Sequence, residues 1–152
     1  MLAVVRIRGT VNRFVEIVDT MNMLRLSKVN NCVLVPEKKE YLGMVKKAKD
    51  FITWGKIDKT TLSKLLEKRC KILGDKNLNL EELKEITDFG DFDSFADALI
   101  NGKANLKDYK RIKPVFRLSP PKKGFKNTRI PFPKGDLGNR HEKINELLER
   151  MI

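Results

Sequence analysis

Apolar and polar residues alternate from the start of the chain. Over Leu2–Arg8, Leu2, Val4, Arg6 and Arg8 share one side and Ala3, Val5 and Ile7 the other, the two-residue period of a strand. Gly9 and Asn12 punctuate its end. The period then lengthens. Phe14, Ile17, Val18, Met21 and Leu24 recur at three and four positions and predict an amphipathic helix over 13–26. Cys32–Val35, closed by Pro36, predicts a second strand. Tyr41, Met44, Val45 and Ala48 mark a helix over about 38–50, and Phe51–Ile57 reads as a third strand. Residues 1–57 thus follow the order β-α-β-α-β.

Residues 58–111 read as a helical extension. Asp58 is a candidate N-cap, with Leu62, Leu65, Leu66 and Cys70 on one face and Gly74 as a stop. Asn79 followed by Glu82 resembles a capping box and opens a short helix with Leu80, Leu83 and Ile86. A further helix spans Asp93–Asn101, with Gly102 at its end. Residues 112–138 change character. Pro114, Pro120, Pro121, Pro131 and Pro133 forbid a continuous helix, so this stretch is expected to be a strand at Val115–Leu118 and then a long loop, mobile in the free protein. Ile144, Leu147, Leu148 and Met151 restore the helical period, and a helix within 139–152 is expected to pack back on the core.

Charge sharpens the picture. The chain has 152 residues, a formal net charge of +12 and a pI near 9.8. Residues 103–140 carry twelve Lys+Arg and two Asp+Glu, so the excess is concentrated in and around the Pro-rich segment. Such a segment neutralises a row of phosphates and releases their counterions. A basic balance also suits an anionic membrane surface or a DNA-coating protein. No stretch reaches the roughly 20 apolar residues of a membrane span. Arg6 and Arg8 interrupt the opening apolar run, so it is not read as a secretory leader. Cys32 and Cys70 have no CxxC spacing and are expected to be buried, reduced and apolar in character, which suits the cytoplasm.

Little here looks catalytic. His141 is the single histidine and has no evident nucleophile beside it. Neither GxxxxGKS/T nor GxGxxG occurs. Asp88, Asp91, Asp93 and Asp97 could hold a metal, but solvated acids near helix starts explain them better. The expectation is no enzyme, no cofactor and no metal, with an RNA-processing enzyme as the rival reading. In the loop, Lys122, Lys123, Lys126, Arg129 and Lys134 alternate with Phe125, Ile130 and Phe132. The cations suit phosphates. The aromatics either stack on unpaired bases or tack the loop onto the domain. Arg6 and Arg8 share a strand face; if the early helices cover the other face, both lie on an open one. Trp54 is expected in the core.

One resemblance draws these features together. Thr20-Met21, Leu24-Arg25-Leu26-Ser27-Lys28-Val29-Asn30-Asn31-Cys32-Val33, Gly43-Met44-Val45, Ala48 and Phe51-Ile52-Thr53-Trp54-Gly55 resemble the signature of the L-thirty family of large-subunit ribosomal proteins. Ala3 to Gly9 fits that family's first strand. Pro114 to Leu118, Pro120 to Phe125 and Leu137 to Arg140 resemble its archaeal form, almost end to end. The resemblance implies an α/β fold, a small ferredoxin-like sheet with helices on one face. It also implies a monomeric, non-catalytic constituent of the large ribosomal subunit, near 5S RNA. Its partners would be large-subunit ribosomal RNA and neighbouring ribosomal proteins. The expected RNA-contacting residues are Arg6, Arg8, Arg25 and Lys28 from the core and Lys122, Lys123, Lys126, Arg129, Lys134 and Arg140 from the basic segment. Whether residues 72–110 touch RNA or protein is left open.

Overall fold

In the computed structural model, which describes residues 1–9 and 14–152, a central strand β1 (Leu2–Arg6) pairs antiparallel on both sides. Its neighbours are β2 (Asn31–Val35) and β3 (Ile52–Lys56). Beyond β2 lies β4 (Val115–Arg117), also antiparallel, and beyond β3 lies the two-residue parallel strand β5 (Gly138–Asn139). The sheet order is β4-β2-β1-β3-β5. Helices α1 (Val15–Met23) and α2 (Lys39–Lys47) follow the first two strands. The predicted start of the first helix at Arg13, and the punctuating Asn12, lie outside the described residues.

Every residue of β1 is buried, because both faces of the sheet are covered. Leu2, Val4, Val33, Val35, Ile52 and Trp54 pack with Met21, Leu24, Val45 and Ala48 under α1 and α2. Ala3, Val5, Cys32 and Phe116 face the other way. They meet α3 (Lys59–Arg69), α4 (Leu80–Ile86), α5 (Phe92–Ile100) and α6 (Ile144–Met151) through Leu62, Leu65, Leu66, Leu83, Phe95, Leu99, Ile144 and Leu148. The alternation read from β1 therefore holds, but the open face expected for Arg6 does not exist. Arg6 lies on the same side as Leu2 and Val4, opposite Ile52 and beneath α1 and α2.

Local signals act much as the sequence suggests. Asp58 holds the N-cap position of α3, although its carboxylate accepts a hydrogen bond from the Asn145 side chain instead of capping. The carboxylate of Glu82 accepts the Asn79 N–H at 3.2 Å, as the capping-box reading requires. Helix α3 stops at Arg69, short of Gly74. A 3-10 turn, His141–Lys143, leads into α6. A Cβ on Gly55 would strike the His141 carbonyl, so glycine lets this turn close on β3. Asn145 completes the seat: its Nδ2 donates to the Lys56 carbonyl and its Oδ1 accepts the Asp58 N–H. Cys32 and Cys70 are free and buried, and burial pushes each thiol up to about 12, so both stay protonated.

Candidate nucleic-acid interface

Strand register places the candidates. Arg6 ends β1 opposite Ile52, which begins β3; Asn31 begins β2 opposite Arg117, which ends β4; Thr53 of β3 lies beside Gly138 of β5. These termini share one end of the sheet. The connections that enter or leave the strands there carry Arg8 after β1, Arg25 and Lys28 before β2, and the whole 118–137 loop between β4 and β5. Residues far apart in the chain thus meet around a single edge of the fold.

Two candidates are not at the surface. Arg6 is 6% exposed. Its Nη1 donates to the carbonyls of Leu26 at 2.8 Å and Ser27 at 2.5 Å, and its Nε to that of Arg8 at 2.9 Å. Burial lowers its pKa from the usual guanidinium value. Arg140 is 8% exposed, ion-paired with the buried Asp136 and hydrogen-bonded to Thr53 Oγ1. Its guanidinium lies 5.4 Å from the Phe132 ring centre. Both guanidinium groups are thus engaged within the protein itself, and Arg6 is not on the open face expected of it. Arg6 shapes the turn that carries Lys28, and Arg140 fastens the end of the basic loop.

The remaining eight reach solvent. Arg8 is half-buried, its guanidinium 5.6 Å from the Phe51 ring centre and facing Arg129 across a shallow groove. Arg25, Lys28, Lys122, Lys123, Lys126, Arg129 and Lys134 are exposed. Among the described residues none of these eight takes part in an ion pair. Unpaired, exposed cations sharing one end of a sheet present a field that attracts polyanions.

The loop is braced, which argues against the mobility expected from its sequence. Ser119 N–H donates to the Met151 carbonyl and Lys122 N–H to that of Arg150, while the Arg150 guanidinium returns bonds to the carbonyls of Lys122 and Gly124. Phe125 packs against the core. Further on, Asn127 and Asp136 exchange hydrogen bonds, and Phe132 and Leu137 close the tip. A Cβ on Gly135 would strike the Ile130 carbonyl, so the tip is tightly wound. Phe132 lies between Arg140 and Lys143. Phe125 and Phe132 therefore tack the loop down.

Sequence reasoning missed Lys113 and Arg117. They join Arg25, Lys28, Ser27 and Asn31 around a groove of about 300 Å³. The signal was non-local, since it needs β4 paired with β2. Asp97 is paired with Lys59, and no cluster of three or more His, Cys, Asp or Glu side chains suited to a metal occurs among the described residues. Nor, among them, is any helix long and apolar enough to cross a membrane.

Comparison with known proteins follows the same lines. Residues 2–52 match the family described as ribosomal protein L30p/L7e. Along 99% of both chains, the protein is 45% identical to the large ribosomal subunit protein uL30 of Methanocorpusculum labreanum and 47% identical to that of Methanoculleus marisnigri. The protein of the same description from Archaeoglobus fulgidus is 45% identical over 99% of both chains. The chain belongs to the L30p/L7e family. The family match ends where β3 begins, yet the archaeal relatives run the full length, so the helical extension and basic loop are part of the L30p/L7e chain in these relatives too.

Proposed function

We propose that this L30p/L7e protein binds folded large-subunit ribosomal RNA through the basic end of its sheet, as a structural, non-catalytic constituent of the large subunit in the cytoplasm. The observation that carries the reading is the set of exposed, unpaired cations on a hydrogen-bonded loop scaffold. A scaffold ordered before binding avoids much of the entropy cost of ordering a flexible tail. Recognition is by backbone and shape, because A-form grooves offer side chains little base information. The mechanism is charge neutralisation where RNA strands crowd together. Arg8, Arg25, Lys28, Lys122, Lys123, Lys126, Arg129 and Lys134 supply the contacts. Arg6 and Arg140 hold the backbones that present them.

Replacing Lys122, Lys123 and Lys126 with Ala removes three contacts. The slope of log affinity against log salt is then expected to flatten by about 2–3 units, with affinity falling and the melting temperature almost unchanged. A collapse of thermal stability with an unchanged salt slope would make the three lysines structural instead. The finer reading places the protein as a monomer near 5S RNA, beside neighbouring ribosomal proteins. Protection footprints on both ribosomal RNAs test it, and protection confined to regions remote from 5S RNA would refute it.

A further inference from the structure

We propose that the groove between the end of α1 and the edge strand β4 is an RNA-backbone site that extends the basic end of the sheet. It is formed by Arg25, Lys28, Lys113 and Arg117, with Asp75 occupying the place of a phosphate in the free protein. This inference rests on the RNA-binding reading above and adds to it two further cations, Lys113 and Arg117, and a built-in competitor.

The groove lies along the outermost strand of the sheet. Four cations line it, and two of them, Lys113 and Arg117, hold the carboxylate of Asp75 beside it. Asp75 Oδ1 is 2.5 Å from Lys113 Nζ, and Oδ2 is 3.5 Å from Arg117 Nη1. Two oxygens of one anion thus bridge a lysine and an arginine, as two non-bridging phosphate oxygens would. Asp75 is presented by a tight turn: Gly74 and Asp75 have φ of +93° and +61°, and the Asp75 N–H donates to the Ile72 carbonyl. The turn is fixed beside β4 by hydrogen bonds from Leu73 N–H to the Arg111 carbonyl and from Lys113 N–H to the Lys71 carbonyl. The hydrogen bond from Lys113, with the charge of Arg117, keeps the Asp75 carboxyl below its ordinary range. One carboxylate leaves Arg25 and Lys28 unanswered.

Arg25 reaches the groove from an unusual backbone position. It sits at φ +61°. Its N–H donates to the Asn22 carbonyl and the Leu26 N–H to the Met21 carbonyl, each at 2.8 Å. This is the Schellman pattern, in which the left-handed position usually carries glycine. An arginine there accepts backbone strain in order to project a guanidinium into the groove. The occupant is an RNA phosphate, because Arg25 and Lys28 lie in the connection that enters β2 at the basic end of the sheet.

The test measures binding to deproteinised large-subunit ribosomal RNA over a salt series. The Lys113→Ala/Arg117→Ala variant is expected to bind on the order of tenfold more weakly, with the salt slope reduced by about 1–2 units. Asp75→Asn is expected to do the opposite: tighter binding and a steeper slope. If the double variant binds like the wild type and Asp75→Asn changes only the melting temperature, the trio merely fastens the 71–77 turn and the proposal fails. A change in affinity for polyglutamate with none for RNA also overturns it, in favour of an acidic protein partner. The loop triple-alanine variant, run alongside, separates the two claims. Loss of binding there with none in the groove variants leaves the RNA-binding reading intact and refutes this site alone.

Discussion

Arg25 and Arg6 look alike in the sequence, two arginines beside apolar runs, and the fold gives them opposite tasks. Arg6 follows the alternation of β1 and so points under α1 and α2, where its guanidinium meets main-chain carbonyls of residues 26 and 27. A buried guanidinium needs such partners, since an unpaired buried charge costs several kcal/mol. Arg25 projects outward from a backbone position that glycine would fill without strain. Arg25→Gly is therefore expected to leave stability unchanged or raise it by about 1 kcal/mol, while weakening RNA binding. Thermal melts and RNA titrations of the same preparation read both effects. A variant that loses stability and keeps its affinity would contradict this assignment. The parity of Arg6 was legible from the strand pattern. Its burial was not, because the covering of both sheet faces depends on residues 58–152 folding back, which no local pattern reveals.

At the scale of elements, periodic stretches were readable and short ones were not. Strands β1 to β3 and helices α1 to α3 stand within a few residues of the positions that alternation and i, i+3, i+4 spacing indicate. Strand β5 has two residues and no pattern to detect; it exists because Gly138 lies alongside Thr53, 85 residues away in the chain. The basic loop looked unstructured because prolines and lysines dominate it. Its order comes from single polar contacts to distant partners: Arg150 on the carbonyls of Lys122 and Gly124, and Asp136 on the Asn127 N–H and Arg140. Arg140→Ala leaves Asp136 buried without its cation, an expected loss of about 3 kcal/mol or more. Amide exchange across residues 127–137 should quicken at the same time. Exchange unchanged there, with stability intact, would mean that the aromatic and backbone contacts alone hold the loop.

For the whole molecule, composition announced a polyanion partner and topology supplies the surface. The loop between β4 and β5 brings Lys122, Lys123, Lys126, Arg129 and Lys134 to the end of the sheet that carries Arg8, Arg25 and Lys28, so loops from separate parts of the chain act together. The two hydrophobic clusters on either side of one sheet give that end a rigid base. The family resemblance was legible because signature residues such as Leu24 to Val33 build the turn that Arg6 braces. The groove at Lys113 and Arg117 was hidden because its walls come from positions some 85 residues apart. The most direct test of the central claim is sedimentation of a native lysate through a sucrose gradient after a high-salt wash, with the chain followed by antibody. The account predicts that it travels with the large subunit, and that the loop triple-alanine variant is released at lower salt. A wild-type chain found free at the top of the gradient would contradict it.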